Sequence, residues 1–486
     1  MKNPGTKNLA LLIILLLASP FIKSQELTLN EALKLASENN YKIKQYRQKL
    51  ETASYKDLDA LGNFLPKINF TSSYTHLNDP VVFDLDPVRQ VILNLQAKNQ
   101  TELTNIYGIL AGGAPLTDQQ KAAAFGQAYS GLSKQVPLFR EVLKEQDYKT
   151  ATLTFVQPLF TGGKILSYKK IASAQEEAAA MELKRVKDEV MRDVVNTYTG
   201  VMLAEDVVKT RRDVFNGIKK HHTRAIKLYE EGLTTRFNVI RAEVAVSDAE
   251  RALYDDVKKL ETAYLALYEI IGAAGDCGLK ITQNLTFHKD SKPAEFFEEA
   301  LLAGNPLLRI LELKKYSAEK NYELERARFL PQVAAFGKYE MYPEYLSTLE
   351  PRWAVGINLS INIFNGLQDY AALETASGLE KEVGYLESEI KSKLKLLMQK
   401  SYKELETASE RYRSGESGIR LAEENLRLNE KRFETGLGTS LEVIDAQLLY
   451  EKFMIEQLVS VREYYRALNE LYTLSGRPEE ITKLIK

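Results

Sequence analysis

Few residues in this sequence are placed to do covalent chemistry. Gly162-Gly163-Lys164 has the ending of a phosphate-binding loop, but Ile165 stands where the Ser or Thr belongs and Pro158 where the first glycine belongs. Gly272, Gly275 and Gly278 mimic a dinucleotide fingerprint, yet they follow a helix end rather than a strand and read as a C-cap and loop. His221-His222 lies on a charged helical stretch, where a solvated face is the plain reading. Glu442 and Asp445, three apart, share a helix face, as acids near a helix N-terminus often do for a few tenths to about 1 kcal/mol. With four histidines and one cysteine, Cys277, no intramolecular disulfide framework or cysteine-built metal site can form. No catalytic, cofactor or metal constellation emerges, so the reading is not an enzyme.

The elements around these residues carry more. The chain has 486 residues, 44% hydrophobic and 27% charged, with 65 Lys+Arg against 66 Asp+Glu. That composition belongs to a folded protein, and a net charge of −1 argues against nucleic-acid binding. Lys2 and Lys7 precede the apolar run Leu9 to Ala18, and Ser24-Gln25 leads into a polar stretch. Residues 1–25 therefore read as a signal peptide, its apolar run being too short to span a bilayer. No α-helical membrane span is found beyond it.

The rest of the chain is written twice. An offset of 204 residues aligns Phe160 with Phe364, Gly162 with Gly366, Tyr198 with Tyr402, Gly232-Leu233 with Gly436-Leu437, and Gly272 with Gly476. Upstream, Phe64-Leu65-Pro66 matches Phe329-Leu330-Pro331 at an offset of 265, as Asn40 matches Asn305. The first copy thus holds 265 − 204 = 61 extra residues between its first two strands. The copies cover 26–290 and 291–486.

Each copy opens with a helix, about 30–61 (with the Thr28-x-x-Glu31 capping box) and about 293–328. Two strands follow. In the first, Ile68, Phe70 and Tyr74 alternate with polar neighbours, while in its twin Phe336 breaks the alternation. The second strand lies near 150–157, and its twin over 353–363. There Trp353, Val355, Ile357, Leu359, Ile361 and Ile363 share one face, opposite small and polar residues. A soluble sheet could show one such face. A membrane barrel needs it, with roughly 9–11 residues per tilted strand. Four strands cannot close a barrel and open edges are forbidden in lipid, so three chains and twelve strands are expected.

Proline-free stretches over 163–230 and 367–434 predict helices of roughly 100 Å, with Gly415 and Gly418 as points of bending in the second. Return helices over 233–272 and 437–476 carry apolar residues at heptad-like spacing. Return helix and opening helix, end to end, match the long helix in length. Helices of that length suit a duct better than a compact domain. Segments 273–295 and 477–486 are expected to form a belt at the junction.

This order of elements behind a signal peptide resembles the TolC-like outer-membrane efflux proteins. The resemblance spans the mature chain and rests on Phe-Leu-Pro before the first strands, on Pro-Leu-Phe-Thr-Gly-Gly (158–163) and Ile-Phe-Asn-Gly (363–366) after the second, and on the turns Tyr229–Thr235 and Arg432–Ser440. It implies a mainly α fold with a membrane β-barrel part: long helical hairpins in a periplasmic tunnel, and four strands per chain in a homotrimeric twelve-stranded barrel. The place implied is the outer membrane of a Gram-negative bacterium, with lipid around the barrel and the helices in the periplasm.

The implied function is the exit duct of a tripartite efflux system for small toxic compounds, with a periplasmic adaptor and an inner-membrane pump. A duct for type I protein secretion is the alternative, and a pore-free periplasmic coiled-coil scaffold a third reading. The resemblance assigns an adaptor-contacting tip to Gly232, Leu233, Thr234, Thr235, Gly436, Leu437, Gly438, Thr439 and Ser440. It assigns a gate to rings of Glu442 and Asp445, with Arg241 tying neighbouring helices shut. The surplus at 76–147, with a helical patch near 118–128, is expected to be an extracellular loop.

Overall fold

The computed structural model describes residues 26–273, 278–281, 283–347 and 349–485. The signal peptide, Gly275 and Cys277 lie outside them. Two compact units form: one holds 26–60, 166–325 and 370–485, the other 61–165 and 326–369.

In the helical unit the expected opening helix is two helices, α1 (Leu29–Asn39) and α2 (Tyr41–Gly62), parted at Asn40. Thr28 caps α1 through the expected capping box. The second copy breaks the same way at Asn305, into α7 (Ala294–Gly304) and α8 (Pro306–Arg326). The two long helices run α5 (Lys164–Glu230) and α9 (Gln368–Glu434), and their return helices α6 (Arg236–Ile270) and α10 (Ser440–Leu474). Numbered in chain order, α3 (Asp86–Leu110) and α4 (Asp118–Gln135) belong to the other unit. Gly415 and Gly418 do not interrupt α9. A Cβ on Gly418 would lie 2.8 Å from the Phe453 ring, so glycine lets α10 pack close.

The core of this unit joins Val186, Val190, Val194, Val195 and Tyr198 of α5 to Tyr464, Tyr465, Leu468 and Tyr472 of α10. Buried tyrosines need hydrogen-bond partners, and they find them in the irregular belt. Tyr198 donates to Gln283 Oε1 at 2.8 Å, and Tyr465 to the Thr286 carbonyl at 2.9 Å. The Asp290 amide donates to Tyr464 at 2.7 Å. The belt is thus fastened by side chains that substitute for a sheet or helix ladder.

The second unit is built on an antiparallel sheet of order β1-β4-β5-β6: β1 (Lys67–His76), β4 (Asp147–Phe160), β5 (Gln332–Glu340) and β6 (Trp353–Ser360). The 76–147 segment, expected as a loop, is folded: β2 (Val81–Asp84) pairs with β3 (Arg140–Lys144), and α3 packs on α4. β6 ends at Ser360, so Ile361 and Ile363, expected on the strand, follow it without ladder partners among the described residues.

Candidate functional site

The sheet has two unlike faces. Phe70, Leu153, Tyr339 and Trp353 lie opposite one another in register across all four strands, and Ile68, Phe155, Gly337 and Val355 form the next row on that face. Ile357 and Leu359 extend it along β6. Trp353 is 62% and Ile357 70% exposed, values that water would not reward for such side chains. The other face carries Asn69, Thr154 and Lys338 in one row and Thr71, Thr152 and Glu340 in another. Phe336, the exception in the alternation, lies on this polar face against Gly356, where a Cβ would come within 2.9 Å of its ring. Both edges, β1 and β6, are unpaired among the described residues.

The two helix-hairpin turns repeat each other. Gly232 and Gly436 adopt left-handed φ of 73° and 74°. Each closes a Schellman motif: the Leu233 amide donates to the Leu228 carbonyl at 2.8 Å, and that of Leu437 to Arg432 at 2.9 Å. The motif turns Leu233 and Leu437 outward, 62% and 76% exposed. Gly232, Thr235, Gly436 and Thr439 are exposed beside them, with Thr234 and Gly438 half-buried. Ser440 is corrected: it is buried and bonds His221 Nε2 at 2.7 Å.

His221, read from sequence as solvated, is half-buried with its ring 4.6 Å from that of Phe433. Burial, and secondarily the neighbouring His222, push its pKa down to about 4. The charged helix hid this because the turn that covers His221 comes from the other copy.

Glu442 is the third residue of α10 and completes a capping box, accepting from the Thr439 amide at 2.7 Å. It also pairs with Arg432 at 3.2 Å. That amide and that guanidinium hold its carboxyl below the ordinary range. Asp445 is exposed one turn on. Within one chain Arg241 meets neither acid; its guanidinium lies 6.0 Å from the Phe237 ring centroid.

A clamp that sequence reading missed joins three helices. Arg211 of α5 pairs with Asp256 of α6 and Glu451 of α10, each at 2.8 Å, and both carboxylates are buried. Burial pushes both acids up. It prevails at Glu451, whereas bonds from Lys259 and Arg211 bring Asp256 below its usual value. Asp255-Asp256 and Lys258-Lys259 look like one solvated run, and the two acids are not matched in the 204-residue register, so no pattern marked them.

A one-sided apolar sheet with edges open among the described residues, in the same chain as two helices of 67 residues, has the features of a membrane-barrel channel component. The family model described as outer membrane efflux protein matches residues 127–273 and 299–477, more than half of the chain. The chain belongs to that family and so to the outer membrane of Gram-negative bacteria. It is 23% identical over 351 residues to the alkaline protease secretion protein AprF of Pseudomonas aeruginosa, spanning 69% of this chain and 71% of that one. To the cobalt-zinc-cadmium resistance protein CzcC of Cupriavidus metallidurans it is 22% identical over 331 residues, 68% and 78% of the two chains. Its fold is similar to that of the outer membrane protein VceC of Vibrio cholerae (TM-score 0.71, 15% identity, 92% of this chain and 96% of that one). It is also similar to CusC (TM-score 0.72, 14% identity, 92% of each).

Proposed function

We propose that three copies of this chain form the exit duct of a tripartite efflux system, releasing small toxic compounds taken up by an inner-membrane pump and passed on through a periplasmic adaptor. The observation that carries this reading is the sheet. Its apolar rows can be buried only in lipid, and its edges β1 and β6 need partners that other copies supply. Twelve strands then close the barrel, and the polar face lines the pore.

The turns at Leu233 and Leu437 are the adaptor-contacting tip: paired, exposed apolar side chains on rigid Schellman turns make a surface for another protein. Glu442 and Asp445 form acidic rings just inside the tip, and Arg241 of a neighbouring copy holds them closed. Rings of carboxylate bind and select cations. Similarity to a protease secretion protein favours type I secretion as the second reading, and similarity to a metal-resistance protein widens the cargo of the first.

Photo-crosslinking from Leu233 and Leu437 in living cells, with the captured protein identified by mass, tests this. Capture of an adaptor supports the tip, and the pump associated with it separates efflux from protein secretion. Crosslinks confined to copies of this chain would remove the tip's support.

A further inference from the structure

The α3–α4 hairpin has a face that nothing among the described residues covers. Leu93, Ala97, Thr101 and Asn105 are the buried side of α3. On its opposite side Val88, Ile92, Leu95, Asn99, Leu103, Ile106 and Leu110 follow at spacings of three or four. The six apolar members of this stripe are each at least 49% exposed, and Val91 and Ile109 flank it at 67% and 43%. A monomeric surface rarely carries so long an apolar row.

We infer that α3 from three copies packs along this stripe on the threefold axis, making a helical bundle across the outer mouth of the duct. The inference rests on the trimer proposed above. Three observations select a second and third copy as the occupant. First, the hairpin is inserted between β1 and β4, and β1 is an open edge that barrel closure gives to a neighbouring copy. The hairpin therefore leaves the sheet at the edge strand that a neighbouring copy meets. Under threefold symmetry one face can meet the same face of both neighbours only at the axis.

Second, Asn99 sits midway along the stripe. One polar residue in such a seam fixes register and copy number in helical bundles, whereas in hydrocarbon it is only a cost. Glu102, beside it, accepts from Lys121 of α4 at 3.2 Å. A helix lying on lipid headgroups is rich in Lys and Arg, but α3 has only Arg89 and Lys98. Arg89 is turned to Asp86 and to the carbonyls of Ser133 and Val136.

Third, the base of the insertion is held. Lys144 at the end of β3 pairs with Glu350 at 3.0 Å, and Tyr148 stacks on Tyr345 at 5.7 Å. Phe83 of β2 meets Phe139, which immediately precedes β3, edge to face at 6.2 Å. The insertion is thereby anchored to the sheet end at His76 and Asp147, which lowers the ordering cost of meeting its copies.

The test uses the full-length chain in cells with Cys277→Ser and one new cysteine: Leu95→Cys or Ile106→Cys on the stripe, or Gln100→Cys on the far side of α3. Oxidation is expected to give reducible dimer bands from the two stripe positions and none from Gln100→Cys. Leu95→Cys is expected to resist a membrane-impermeant maleimide before oxidation. The mass of the detergent-extracted Cys277→Ser parent, by light scattering, reads the trimer separately, so failure of the assembly itself is distinguishable. In a trimeric protein, free labelling of Leu95→Cys without crosslinking overturns the inference. So does shielding without crosslinking at both stripe positions, the result of burial in lipid.

Discussion

The carboxamide of Asn305 donates to the Leu474 carbonyl at 2.8 Å while its oxygen accepts from the Leu307 amide at 2.9 Å. One side chain thus satisfies the last turn of α10 and the first turn of α8. Asn40 does the same with Ile270 at 3.1 Å and Lys42 at 2.9 Å. Helix ends leave orphan carbonyls and amides, and a residue bearing both donor and acceptor joins two such ends without a continuous backbone.

Asn305→Ala strands the Leu474 carbonyl in a buried junction and is expected to cost about 1–3 kcal/mol. The check is the midpoint of heat unfolding in detergent. Gly476→Ala should fall further still, because its φ is 68° and a Cβ would lie 2.2 Å from the Gly304 carbonyl oxygen. Gly436→Ala, with a similar φ but no atom within 4 Å, should be the milder of the two.

Ile357→Lys puts a charge on the apolar face and should cost about 2–4 kcal/mol if that position lies near mid-membrane. Asn358→Lys, one residue on, points to the polar face and should be tolerated. The fraction of each variant recovered as heat-modifiable protein in outer membranes reads the difference. Equal recovery would mean the apolar rows do not face lipid.

Arg211→Met leaves Glu451 buried without its cation. Breaking such a pair typically costs about 3–5 kcal/mol, far more than the pair itself contributes. Adding Glu451→Gln should restore part of the loss, since it removes the stranded charge. A double variant no more stable than Arg211→Met would show that packing, not charge, is what the arginine supplies.

Glu442→Ala with Asp445→Ala is expected to raise single-channel conductance in planar bilayers, or to weaken block by divalent cations. Because Glu442 also caps α10, Glu442→Gln with Asp445→Asn separates charge from capping. If neither pair alters conductance or block, the acids are a helix cap only.

His221 gives a pH dependence of known sign. Its pKa falls from 6.5 in the unfolded chain to about 4 when folded, so between those values the unfolded state binds more protons. The stabilisation is fully present above pH 6.5 and is lost as pH drops through that window. Heat-unfolding midpoints at pH 7.5 and 5.0 should therefore differ more for the wild type than for His221→Gln. An identical difference in both would sink this assignment.

Periodicity determined much of this protein. Alternation in Ile68, Phe70 and Tyr74 and along Trp353 to Leu359 marked strands, and proline-free stretches marked α5 and α9 to within a residue or two of their ends. The glycines at 232 and 436 marked the turns, because only a left-handed residue closes them cheaply. Local chemistry of this kind acts over a few residues and is legible wherever it occurs.

What tertiary structure alone decided involves partners distant in the chain. The breaks at Asn40 and Asn305 depend on carbonyls 230 and 169 residues away. Ser440 is buried by His221, 219 residues before it, and Glu451 finds its charge partner in Arg211 on another helix. α3 was missed because its two apolar edges, one against α4 and one uncovered, blur the single stripe expected of a surface helix. Sequence spacing records which face of an element is apolar; only packing decides what that face meets.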